Sequence, residues 1–102
     1  MTYATKITNA KTTEYIQNRI NFEASNFRGY NYSLGITDYS VIATGRLNSD
    51  LVALLHKDEP LYIVYSYGTP IAWYGRYGWH LPAVRYSSTT SRHQSIVRSA
   101  IA

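Results

Sequence analysis

The densest chemistry in the chain lies in Ser87-Ser88-Thr89-Thr90-Ser91-Arg92-His93-Gln94, where hydroxyls, a guanidinium and an imidazole follow one another without interruption. Immediately after it, Ile96, Val97, Ala100 and Ile101 are spaced like one face of a helix. Ser91 and Gln94 fit the capping-box spacing S-x-x-Q, in which each side chain bonds the other residue's backbone amide. That box predicts a helix starting near Ser91 and accounts for one serine and one glutamine. Arg92 and His93 would then fall in the first turn, where positive charge opposes the helix dipole by roughly 0.3–1 kcal/mol each. A bound anion removes the conflict, because free amides, hydroxyls and Arg92 would all point at it. Thr89, Thr90, Ser91, Arg92 and His93 are therefore candidate phosphate ligands. A polar loop leading into a capped helix is the plainer reading. With neither a Gly-rich run nor a lysine, the stretch is not a P-loop.

The charge pattern points the same way. The chain of 102 residues carries a net charge of +4. Up to residue 59, Lys6, Lys11, Arg19, Arg28, Arg46 and Lys57 balance Glu14, Glu23, Asp38, Asp50, Asp58 and Glu59. Beyond it stand Arg76, Arg85, Arg92 and Arg98 with no carboxylate. Arginine grips phosphate in a fork, whereas lysine acts as a point charge. Arg76, Arg85, Arg92 and Arg98 are thus candidate contacts to an anionic partner, with solubility as the plainer explanation.

Catalytic chemistry is thin. His80 and His93 could form an acid–base pair of the metal-independent ribonuclease kind, with Arg92 on the phosphate. No carboxylate stands nearby in sequence to orient either ring, and Asp58-Glu59 reads as a solvated turn. No catalytic residue is assigned. Metal-ligand spacing is absent, there is no cysteine, and no cofactor is expected. Without cysteine the chain suits a reducing compartment. No apolar run approaches the ~20 residues of a membrane span, and the polar opening MTYATKITNA predicts no signal peptide.

These groups need elements to hold them. The length predicts one domain, residues 1–102. Asn9 can cap a helix over 10–20, with Ala10, Thr13, Ile16 and Ile20 on one side. Residues 21–35 read as extended or irregular, and 39–47 as a strand. A short helix capped by Asn48 should stop before Pro60 with Leu51, Leu54 and Leu55 inward. Residues 61–67, apolar at nearly every position, predict a central strand covered on both faces. Gly68-Thr69-Pro70 makes a tight connection to a strand over 71–74, which turns through 75–78 into 79–81. Strands 61–67 and 71–74 should pair antiparallel. The fold class is α+β: a mostly antiparallel sheet of four or five strands with an N-terminal and a C-terminal helix.

Eleven tyrosines make the sheet aromatic. Alternation puts Leu61, Ile63, Tyr65 and Tyr67 on one face and Tyr62, Val64 and Ser66 on the other. Tyr65, Tyr67, Trp73, Tyr74, Tyr77 and Trp79 are candidate contact residues. They could stack bases beside arginines or meet a protein partner. The plainer reading makes them core and cross-strand ladders.

Tyr65-Ser66-Tyr67, Thr69-Pro70-Ile71-Ala72-Trp73, Trp79, Pro82, Tyr86-Ser87, Thr89-Thr90-Ser91 and His93-Gln94 together resemble a family of small, largely uncharacterised proteins encoded by bacteriophages of Gram-positive bacteria. The shared pattern is a YVVYSYGTPIAW-like strand pair followed by Y-S-x-T-T-S-[KR]-H-Q. About 40 residues match closely and the first 59 more loosely. The resemblance implies a phage accessory protein in the host cytoplasm, acting by binding, and brings no activity with it.

Three functions are in view. The first is a non-enzymatic binder of phosphate-bearing ligands, nucleic acid before others. The second is an inhibitor of a host enzyme or defence complex, acting by protein contact or by sequestering a nucleotide signal. The third is a small nuclease. Self-association into a homodimer is left open.

Overall fold

The run predicted as a central strand is the middle of the sheet. The computed structural model describes residues 5–32 and 42–102. Among them the strands are β1 (Thr5–Lys6), β2 (Phe22–Ala24), β3 (Phe27–Asn31), β4 (Tyr62–Ser66), β5 (Thr69–Gly75) and β6 (Gly78–His80). The helices are α1 (Thr12–Gln17), α2 (Ser49–Lys57) and α3 (Ser88–Ile101), with a 3-10 turn, Asn9–Lys11, leading into α1. The strands lie side by side in chain order. β1 runs parallel to β2, and every pair from β2 to β6 is antiparallel. This is the expected α+β fold, with helices towards both ends of the chain.

Every residue of β4 is buried, because both faces of the sheet are covered. Tyr62 and Val64 pack with Ile16, Phe22, Phe27 and Val97 beneath α1 and α3. Ile63 and Tyr65 pack with Leu55, Trp73 and Ile42 on the α2 side. The period-2 alternation thus sorts one strand's side chains into two cores.

Several expectations change. The N-terminal helix is shorter than 10–20, and Asn9 sits in the 3-10 turn instead of capping. Thr12 Oγ1 donates to the Asn9 carbonyl at 2.8 Å. β-branched Thr12 and Thr13 favour helix weakly, and Arg19, in the left-handed region at φ 53°, turns the chain towards β2. Residues 21–35 contain a hairpin, β2 to β3, as far as they are described. The strand expected over 39–47 is not formed at 42–47, which turn at Gly45-Arg46; Tyr39, Ser40 and Val41 lie outside the described residues. The β4–β5 connection is Tyr67-Gly68 alone, and Thr69 and Pro70 already belong to β5. Asp58 is not in a solvated turn. It is buried, and Trp73 Nε1 donates to its Oδ2 at 2.8 Å. α2 follows expectation: Asn48 Oδ1 accepts from the Leu51 amide at 2.9 Å and Leu55 is buried, with Leu51 and Leu54 half-buried.

Candidate anion site at the start of α3

The helix begins at Ser88, three residues before Ser91, and its cap is Ser87. Ser87 has an extended backbone, and its Oγ accepts from the Thr90 amide at 3.1 Å. The capping box at Ser91 and Gln94 is not made. Gln94 Nε2 instead donates to the Val84 carbonyl at 2.8 Å and holds the preceding segment. The earlier start follows from the inward face. Thr90, His93, Gln94, Val97 and Ala100 are the buried residues of α3, and a helix begun at Ser91 would not present Thr90. Arg92 and His93 consequently fall beyond the first turn, where the dipole acts weakly. The electrostatic conflict expected there does not arise.

His93 points into the protein. Its ring stacks on Phe27 with centroids 4.3 Å apart and planes 1° from parallel. Its Nδ1 lies 2.7 Å from Ser66 Oγ, which lies 3.1 Å from Thr90 Oγ1. Ser87 Oγ in turn donates to Thr90 Oγ1 at 3.1 Å. A neutral His93 that accepts at Nδ1 lets each hydroxyl donate once along this chain. Burial, and then the nearby Arg92 charge, lower the His93 pKa from its ordinary value and favour that neutral form. His80 packs on Trp73, on the α2 side, with ring centroids 5.1 Å apart. The two histidines therefore belong to opposite faces of the sheet and form no acid–base pair.

Where the helix start meets the sheet, a cavity of about 410 Å³ opens. Thr89 and Thr90 line it from α3, Ser87 from its cap and Tyr86 from the segment before it. Tyr67, Thr69 and buried Ser66 line it from the β4–β5 turn. Among the described residues, Arg46 supplies the one formal charge in this lining. Arg46 is positioned by its turn. Gly45 has φ +50°, and a Cβ there would collide with Thr69 Oγ1 and come within 2.7 Å of the Gly68 carbonyl. The Arg46 amide donates to Thr69 Oγ1 at 2.9 Å, and the guanidinium lies 5.6 Å from the Tyr86 ring centroid. Burial raises the Tyr86 pKa, and the Arg46 charge opposes that rise.

On the other side of α3, Arg85 and Arg98 line an open groove of about 360 Å³ with Ser91 and Ser95. Arg98 Nη2 donates to Ser95 Oγ at 3.3 Å. Arg85 and Tyr86 are neighbours in the segment before α3; Arg85 lines the groove and Tyr86 the cavity. Arg92 is exposed. Arg76 stands apart at the β5–β6 turn, 3.9 Å from Glu59, with both side chains well exposed. This is the one ion pair among the described residues.

The aromatic candidates divide. Tyr65 and Trp73 are core, at 2% and 0% exposure, so neither can touch a partner. Tyr74 and Trp79 are half-buried and meet edge to face at 5.5 Å. Tyr67 and Tyr77 are exposed, at 55% and 66%, but sit at opposite ends of β5. Sequence reasoning missed Arg46, Ser66, Thr69, Tyr86 and the capping role of Ser87. Gly45-Arg46 read as a turn and Tyr67-Gly68 as a two-residue hairpin would have given two of the three walls.

Fold and site together define a small α+β protein with an arginine- and hydroxyl-lined cavity at a helix start. The chain belongs to a family of unknown function, DUF8033, whose pattern it matches over residues 3–98. No curated protein and no solved structure matches it. No described helix is long and apolar enough to cross a membrane.

Proposed function

We propose that this protein is a non-enzymatic binder of phosphate-bearing ligands, with nucleic acid as the principal one. The observation that carries the reading is the groove along α3. Arg85 and Arg98 share it with Ser91 and Ser95, and neither arginine is paired with a carboxylate among the described residues. Two forked cations beside hydroxyl donors suit the oxygens of a phosphodiester backbone. Arg92, exposed on the same helix, adds positive potential, while Arg76, beside Glu59, contributes less. The resemblance to phage-encoded proteins is in keeping with action in a host cytoplasm.

The test is fluorescence anisotropy with single- and double-stranded DNA and RNA across a salt series. Binding should weaken steeply as salt rises, and each of Arg85→Ala and Arg98→Ala should shallow the log–log salt slope by about 0.7–0.9. Absence of binding to all four probes, or slopes unchanged in both variants, would sink the reading. The second reading, inhibition of a host factor by protein contact, draws support from exposed Tyr67 and Tyr77. It expects capture of a protein partner with little sensitivity to salt.

A further inference from the structure

We infer that the cavity beside Arg46 is a pocket for a single nucleoside 5′-phosphate, either free or at the end of a strand. The inference deepens the phosphate-binding reading by naming a ligand unit, and it uses a site separate from the Arg85–Arg98 groove. Three observations carry it. The cavity, about 410 Å³, falls in the range of small-ligand pockets. Arg46 is exposed at its wall with no carboxylate partner among the described residues. Its turn is fixed against the sheet by the contact of Gly45 with Thr69 and by the Arg46 amide bond to Thr69 Oγ1.

The third observation is Tyr67. It occupies the first position of a two-residue hairpin turn with φ +51°, followed by Gly68 at +78°. Such a turn favours asparagine or glycine there, because a Cβ is strained in the left-handed region. An aromatic ring stands at this place against the backbone's preference, 55% exposed and lining the cavity. Strain of this kind at a pocket rim points to a functional group. The Tyr67 ring offers a stacking face for a base. Arg46 and Thr89 line the same cavity and supply a guanidinium and a hydroxyl for the phosphate. The Thr90 amide is taken by Ser87 Oγ and the Ser91 amide by the Ser87 carbonyl, whereas the Ser88 and Thr89 amides have no such partner among the described residues. The buried Tyr86 hydroxyl, also without a hydrogen-bond partner among the described residues, gains one from a ligand oxygen placed beside it.

The test is isothermal titration with adenosine 5′-monophosphate, adenosine and inorganic phosphate. The monophosphate should bind, and adenosine and phosphate should each bind roughly tenfold or more weakly. Arg46→Ala should reduce monophosphate affinity to the level of adenosine. Tyr67→Asn should reduce it to the level of phosphate while raising the melting temperature, since asparagine suits the turn. A 5′-phosphorylated oligonucleotide that displaces the monophosphate, when its 5′-hydroxyl twin does not, assigns the pocket to a strand end. Failure of both to displace it assigns the pocket to a free nucleotide. Loss of oligonucleotide binding in Arg85→Ala with monophosphate affinity intact separates the groove from the pocket. No binding of the monophosphate at millimolar concentration overturns the inference. So does affinity unchanged in both Arg46→Ala and Tyr67→Asn, or lost in Arg85→Ala.

Discussion

His93 and Ser87 sit at the two ends of a short hydroxyl chain and respond differently to change. Ser87 is the cap of α3, so Ser87→Ala should cost about 1 kcal/mol of stability. Ser91, inside the helix and accepting no capping bond, should tolerate alanine with little change. Thermal melts of the two variants check the pair, and equal losses would return the cap to Ser91. His93 gives the protein a pH dependence. Its pKa in the folded state lies below the ordinary 6.5, chiefly because the charged ring would be buried. The folded state therefore binds protons less readily than the unfolded chain, and stability rises with pH where this group titrates. The stabilisation is present in full above about pH 6.5 and is lost as pH falls from there through the lowered folded value. Urea denaturation at pH 7.5 and pH 5 should show it, and His93→Gln should flatten that part of the profile.

At the scale of elements, the site depends on how turns approach one another. The 44–47 turn lies so close to the β4–β5 turn that only a hydrogen fits at Gly45. Gly45→Ala should lose about 1–2 kcal/mol from the positive φ alone. The clash with Thr69 should also displace Arg46. Unchanged stability in a urea titration would show that the turn can move aside. α2 is fastened differently. Its last turn leads to Asp58, whose carboxylate receives the Trp73 indole in the core. Trp73→Phe keeps most of the packing but leaves that carboxylate buried without its donor, and should cost about 1–3 kcal/mol. The same experiment with Asp58→Asn, which can still accept from the indole, should show a smaller loss.

For the whole molecule, the sheet is a partition. α1 and α3 cover one face and α2 the other, and each side has its own aromatic core. The surplus charge of the last 43 residues is carried largely on α3 and the segment leading into it. Arg46, from the neutral half of the sequence, is brought to the same helix by the fold. A combined Arg46→Ala, Arg85→Ala, Arg98→Ala protein should lose no more than about 1.5 kcal/mol of stability, because each exposed site changes it by about 0.5 kcal/mol or less. It should also lose salt-dependent oligonucleotide binding. A large fall in melting temperature would make these arginines structural.

Local pattern was enough for β4, for its antiparallel partner β5, for the Asn48 cap of α2 and for an α+β fold with helices towards both ends. Each of these rests on periodicity or on a short-range bond that neighbouring residues specify. Local pattern also located the basic, hydroxyl-rich region around residues 85–98. It misplaced the start of α3, because two serines offer caps and only the burial of Thr90 against Ser66 selects Ser87. It put Arg92 and His93 at the ligand, whereas the Ser66 bond and the Phe27 stack draw His93 into the core. The turn at Gly45-Arg46 is a local signal, but its meeting with the start of α3 is not. It is separated from Ser87 by the whole of α2, β4, β5 and β6, and meets the helix start only because Gly45 permits two turns to touch. Short-range hydrogen bonding and side-chain alternation are written along the chain; which distant turns come together is set by close packing across the sheet.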